Sequence, residues 1–99
     1  MMWRQGDVMI QQCEEVPAEA RRVKKPVVAE GEQTGHTHRV KEFGSAELYR
    51  FRDNLYLRVL SDQAEVVHPE HDTIALPRGT YRVWKQREFT ESRPRRVMD

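Results

Sequence analysis

Apolar and polar residues alternate along most of the chain, and Gly, Pro, Asn and Asp interrupt the alternation roughly every ten residues. No segment sustains the apolar period of an amphipathic helix. The pattern therefore predicts an all-β fold, a small single-domain barrel or sandwich of about seven or eight short strands.

In "GDVMIQQCEEV" the alternation puts Val8 and Ile10 on one face of a first strand. "VPAEARR", around Pro17, suits one turn of helix or a loop. "KPVVAEGEQTGHTHRV" predicts a strand at Val27 to Ala29, a glycine-containing turn, and a strand carrying His36 and His38. The clearest hairpin is "AELYRFRDNLYLRVL". A three-residue loop, Arg52-Asp53-Asn54 with Asn54 in the left-handed region, gathers Tyr49, Phe51, Leu55, Leu57 and Val59 on one face and Arg50, Arg52, Tyr56 and Arg58 on the other. A two-residue Asp53-Asn54 turn splits the apolar residues between both faces, so the longer loop is preferred. "AEVVHPEHDTIAL" reads as a strand entering His68 and His71. In "LPRGTYRVWKQREF" a Pro-x-Gly turn leads into a last strand where Tyr81 and Val83 alternate with Arg82 and Trp84. Residues 1–89 make the single β domain. Residues 90–99 form a basic tail without apolar pattern, expected to be mobile or to be ordered by a partner.

Composition narrows the function classes. Apolar residues are 37% and charged residues 33% of the 99, which predicts a folded domain with a thin core that a metal or a partner subunit would help to stabilise. A homodimer through an exposed sheet edge is one such arrangement. The formal charge of +1 gives no overall field toward nucleic acid or anionic lipid. Nucleic-acid affinity would have to come from local clusters, Arg21, Arg22, Lys24 and Lys25, then Arg93, Arg95 and Arg96, whose ordinary reading is a solvated loop and tail. Cys13 is the only cysteine, so no internal disulfide forms. No apolar run is long enough for a signal peptide or a membrane span, and the cytoplasm is the default expectation.

Candidate chemistry lies in the histidines, four in all, confined to two short windows. Side chains at i and i+2 leave one face of a strand, so His36 and His38 project side by side. His68 and His71 are separated by Pro69 and Glu70, and the proline bends the chain at a strand end, which lets residues three apart turn toward one point. A closed β architecture would bring the two pairs onto neighbouring strands as one metal site. The alternatives are a metal-free catalytic or pH-sensitive cluster and four unrelated surface imidazoles. An imidazole set without thiolate favours Zn, Fe, Mn, Ni or Cu over Ca and Mg. Glu42 and Glu70 are the nearest carboxylates that would complete the shell or act as general base. Arg39, Arg50 and Arg58 are candidate anion contacts.

"GHTHRVKE", His36-x-His38-x-x-x-Glu42, resembles the first metal-binding motif of the cupins, and "LPRGTYRV" resembles the Pro-x-Gly turn of their second. The resemblance implies a cupin-like barrel in which His36, His38 and Glu42 are ligands. The chain departs from it where the cupin family has its last histidine, here Arg82, and its closing glycine, here Tyr49. The whole chain also resembles short bacterial proteins sharing "RQGDV", "GE-x-TGH-x-H" and "LP-x-GTY-x-V" blocks, which implies a stand-alone domain and no particular activity.

Two classes of function are therefore expected. One is a metalloprotein acting on a small polar or anionic molecule. The other is a non-catalytic module with a structural metal that holds nucleic acid or an acidic protein, using Trp84 and Tyr56 as stacking surfaces. A small metal-dependent nuclease would combine the two.

Overall fold

The computed structural model describes residues 1–30 and 36–86, so the glycine turn before His36 and the basic tail lie outside the described residues. The fold is all-β. Its strands are β1 (Met2–Gln5), β2 (Val8–Cys13), β3 (Arg21–Val23), β4 (Val27–Glu30), β5 (Thr37–Val40), β6 (Ala46–Phe51), β7 (Asn54–His68) and β8 (His71–Lys85), with one 3₁₀ turn at Phe43–Ser45. All pairings are antiparallel, in the order β1-β2-β8-β7-β5-β4, and β6 joins β3 to β7. The sheet curls into a half-barrel.

Period-two alternation supplies the inner face. Val8 and Ile10 of β2, Val40 of β5, Leu48 of β6, Leu57 and Val59 of β7, and Tyr81 and Val83 of β8 are all buried. The alternation of Tyr81 and Val83 against Arg82 and Trp84 follows the pattern read from the sequence.

The long β7–β8 hairpin contains the feature that positions the histidines. Its buried residues are odd-numbered near the open end, Leu57 and Val59 against Tyr81 and Val83, and even-numbered toward the turn, Ala64 and Val66 against Leu76. The register shifts between Val59/Gly79 and Gln63/Pro77. Because a bulge changes which positions of a strand face inward, this irregularity puts His68, two residues beyond Val66, on the inner side, and a second register shift lies between Val66/Ile74 and His68/His71. Unbroken alternation from Leu57 would have turned it outward. Arg78 holds the bend, donating from Nη2 to Asp62 Oδ1 (3.1 Å) and from Nε to the Ser61 carbonyl (3.3 Å). Gly79, at φ 151°, supplies a backbone conformation that other residues rarely adopt. The extra residues of this bulge are on β7, where residues 60–62 stand opposite Arg78 alone, and Pro77-Arg78-Gly79 runs within one continuous strand, whereas the sequence pattern suggested a turn between strands.

Two further local expectations change, and of the helical turn or loop read around Pro17 the loop is found. The β6–β7 turn is Arg52-Asp53, since Phe51 pairs with Asn54 and Tyr49 with Tyr56, and the left-handed residue is Arg52 (φ 59°) instead of Asn54. That one-residue difference moves Tyr49 and Phe51 to the outer face and leaves Ala46 and Leu48 with Leu57 and Val59 in the core. The register expected from Asp53 and Asn54 followed their turn preference, and core packing of Ala46 and Leu48 outweighs it. Residues 14–20 contain no helix. The first strand begins at Met2 and returns through a Gly6-Asp7 turn, a hairpin that the polar run Arg4 to Asp7 disguises.

Candidate metal centre

All four imidazoles converge, from three parts of the chain. His36 and His38 come from the entry and middle of β5, while His68 and His71 close β7 and open β8, paired across the two-residue Pro69-Glu70 turn. The rings of His38 and His68 have centroids 4.3 Å apart, His68 and His71 4.6 Å, His38 and His71 6.0 Å, and His36 and His68 5.7 Å. His38, His68 and His71 thus form a closed triangle, and His36 joins it through His68. Two imidazoles sharing one ion at ~2.1 Å have ring centres roughly 4.5–5.5 Å apart; His68 and His71, at 4.6 Å, fall within that range, and the other pairs lie just outside it.

His38 is the buried member, 5% exposed. Its proton position follows from Gln5, itself 2% exposed on β1. Gln5 Nε2 donates to the carbonyls of Val66 (2.9 Å) and Asp72 (2.8 Å), which fixes the carboxamide with Oε1 toward His38 Nδ1 at 2.9 Å. Because Oε1 only accepts, Nδ1 carries the hydrogen and Nε2 keeps a lone pair. That lone pair lies 4.0 Å from Asp7 Oδ1. Burial pushes the His38 imidazole down to about 4, with His68, His71 and Lys85 adding to the effect and Asp7 opposing it. At neutral pH the ring is uncharged, and its contact with Asp7 is between two electron-pair donors, not an ion pair.

His68 accepts a hydrogen bond at Nδ1 from the Glu70 backbone N–H (3.0 Å). Its pKa is lowered by burial and by His71 and His36, against Glu70 and Asp7. His71 packs over the β1–β2 turn so closely that a Cβ at Gly6 would stand 2.8 Å from its Nε2. Gly6 also has φ 61°. Glu70 Oε1 lies 3.5 Å from His36 Nδ1.

Not every expected residue joins this group. Glu42 is exposed beyond the end of β5, where its carbonyl accepts the N–H and hydroxyl of Ser45. Strand β5 ends at Val40 and the chain bends away, so the cupin-type spacing does not bring Glu42 back to the histidines. Arg39 alternates to the opposite side of β5 from His38. Arg58 stands on the outer face, over the Tyr49 ring (5.1 Å) and 3.9 Å from Glu47. Arg50 faces inward, toward a cavity described below. Gln5 and Asp7 were missed, and the only sequence signal for them was the Gly6-Asp7 turn pair.

The donor set suits a borderline ion: imidazoles, a neighbouring carboxylate, and one histidine whose far nitrogen is bonded to a buried amide, as metal-ligating histidines commonly are. Among the described residues, no group of three or more His, Cys, Asp or Glu side chains yet has its donor atoms gathered around one point. The rings of His68 and His71 are tilted 42° to each other, and reorientation of these two side chains, half-buried and exposed respectively, is what convergence requires.

The fold and the cluster define a class: a small curled β-sheet domain with a four-histidine group at one end of its longest hairpin. Residues 4–86 match the model of a family described as a domain of unknown function (DUF8820), and the chain belongs to that family. No curated protein and no solved structure matches it. Among the described residues no helix is long and apolar enough to cross a membrane.

Proposed function

We propose that this protein binds one divalent transition ion, from among Zn, Fe, Mn, Ni and Cu, through His38 Nε2, His68 and His71, with Asp7 or His36 completing the set. The reading rests on the lone pair of His38 Nε2, with a carboxylate oxygen of Asp7 at 4.0 Å and the rings of His68 and His71 beside it. Donor atoms sharing a tetrahedral ion are roughly 3–4 Å apart. Gln5 holds His38 in the tautomer that binding requires.

His68 must give up its hydrogen bond from the Glu70 N–H to take part. That exposed bond is worth about 1 kcal/mol at most, against roughly 10–16 kcal/mol for zinc at a structural site, so it does not oppose binding materially. When bound, such an ion supplies a Lewis acid toward water or a substrate oxygen. Glu70, exposed beside His36, is then the carboxylate available to accept a proton, and small polar or anionic molecules are the substrates that can reach this open end.

The test is elemental analysis of the purified protein, followed by calorimetric titration of chelator-treated protein with zinc chloride. One ion per chain is expected, with affinity falling at least about 100-fold in His68→Ala and His71→Ala. Absence of binding, or binding indifferent to both changes, contradicts the reading.

A second reading has its own support. Register places Arg22, Tyr49, Tyr56 and Arg82 in one row across β3, β6, β7 and β8 on the outer face, with Arg82 over the Trp84 ring (4.9 Å). Aromatic rings interleaved with guanidinium groups suit the stacking of single-stranded nucleic acid. Fluorescence anisotropy with a labelled oligothymidine at low salt tests it. Binding that weakens on Tyr56→Ala and with added salt supports this reading, and its absence removes it.

A further inference from the structure

The concave side of the half-barrel holds a second feature, a cavity of about 620 Å³, a size typical of small-molecule sites. Its wall includes Val8, Val28, Leu55 and Val83, apolar residues from four different strands. Lys24, Lys25, Arg50 and Lys85 also line it, with Asp53 as the acidic residue. The excess of positive charge is not a feature of the chain as a whole, whose formal charge is +1.

Two of these cations belong to the inner face by alternation. Arg50 follows Leu48 at i+2 on β6, and Lys85 follows Tyr81 and Val83 on β8. Inner-face positions are where a thin core most needs apolar side chains. The carboxylates of Glu47, Asp62 and Glu65 pair elsewhere, with Arg22, Arg58, Arg78 and Lys41. Among the described residues of the wall, Asp53 is the acidic side chain beside Lys24, Lys25 and Arg50.

We infer that this cavity binds a small amphiphile, an apolar body carrying one anionic head group, with the body against Val8, Val28, Leu55 and Val83 and the head among Lys24, Lys25 and Arg50. The inference does not depend on metal binding. An apolar body accounts for the valine and leucine wall, and an anion accounts for the exposed cations gathered beside it.

A matched pair of dyes provides the test on the full chain. 1-Anilinonaphthalene-8-sulfonate and N-phenyl-1-naphthylamine share one aromatic body and differ in the sulfonate. The sulfonate is expected to bind with a stoichiometry of one and at least about tenfold more tightly than the neutral dye. Arg50→Gln and Lys25→Gln should each weaken it several-fold and leave the neutral dye unchanged. Leu55→Trp, which fills the cavity, should weaken both. Decanoate or decyl phosphate should displace the sulfonate where decanol does not, and whichever of the two competes better identifies the head group. Equal binding of the two dyes, binding of neither, or indifference to Arg50→Gln and Lys25→Gln together would overturn the inference.

Discussion

Gln5 Oε1 accepts a hydrogen bond from His38 Nδ1 at 2.9 Å, while its amide nitrogen is held by the carbonyls of Val66 and Asp72. One buried carboxamide thus ties β1 to β7 and β8 and fixes which nitrogen of His38 carries the hydrogen. Gln5→Met keeps the length of the side chain and removes all three bonds, leaving two carbonyls and one ring N–H unsatisfied. Urea unfolding should show a loss of about 2–4 kcal/mol. A loss below about 0.5 kcal/mol would mean that these bonds are not made in solution.

Protonation of His38 should be visible in stability. Its pKa is about 4 in the folded protein against an ordinary 6.5, so between those values the unfolded chain binds more protons. Stability of the metal-free protein is therefore at its plateau above pH 6.5, falls as the pH drops toward 4, and levels off below that as far as this group is concerned. The full difference is about 3 kcal/mol. Asp7 faces the ring and opposes the shift, while Lys85, His68 and His71 reinforce it. Denaturation curves at intervals of pH, compared with His38→Gln, measure the effect, and the slope should flatten in the variant.

Gly6 has two reasons to lack a side chain. A Cβ there would meet the His71 ring at 2.8 Å, and φ 61° strains any larger residue. The ring can swing away, so the strain sets most of the stability change, and Gly6→Ala should cost about 1–2 kcal/mol. Zinc affinity should fall further than that loss accounts for, because His71 is displaced. Calorimetric titration beside thermal unfolding separates the two effects.

Arg52 occupies a left-handed position, with its guanidinium 5.1 Å from the Phe51 ring. Arg52→Gly should leave stability unchanged or raise it by up to about 1 kcal/mol, since relief of strain outweighs the lost ring contact and added chain entropy. Arg52→Val, β-branched, should lose about 1–2 kcal/mol. Equal stability in the two variants would place the turn elsewhere.

Much of the fold was legible because the buried positions of β2 and β8 alternate with simple period two, Val8 with Ile10 and Tyr81 with Val83. What sequence alone did not reveal lies where alternation breaks. The bulge at residues 60–62, opposite Arg78, exchanges inner and outer faces midway along the longest hairpin, and no local propensity announces it. The gathering of the histidines depends on that exchange, so their proximity was a spacing argument until the register was known. Asp7 and Gln5 escaped notice because a polar residue in a turn and a glutamine beside it look like solvent-facing positions. The Arg52-Asp53 turn was misplaced by one residue because Asn54 is the better left-handed residue taken in isolation.

The most direct measurement is long-range ¹H–¹⁵N correlation spectroscopy of the histidine rings, recorded as zinc is added to the chelator-treated protein. Before addition, His38 should show a protonated Nδ1 and an unprotonated Nε2 at pH 7. At one equivalent of zinc, His38 Nε2 and one nitrogen each of His68 and His71 should move to the shifts of metal-bound imidazole, with His38 Nδ1 still protonated. A His38 ring that carries its hydrogen on Nε2, or four rings that do not respond to zinc, would contradict the account.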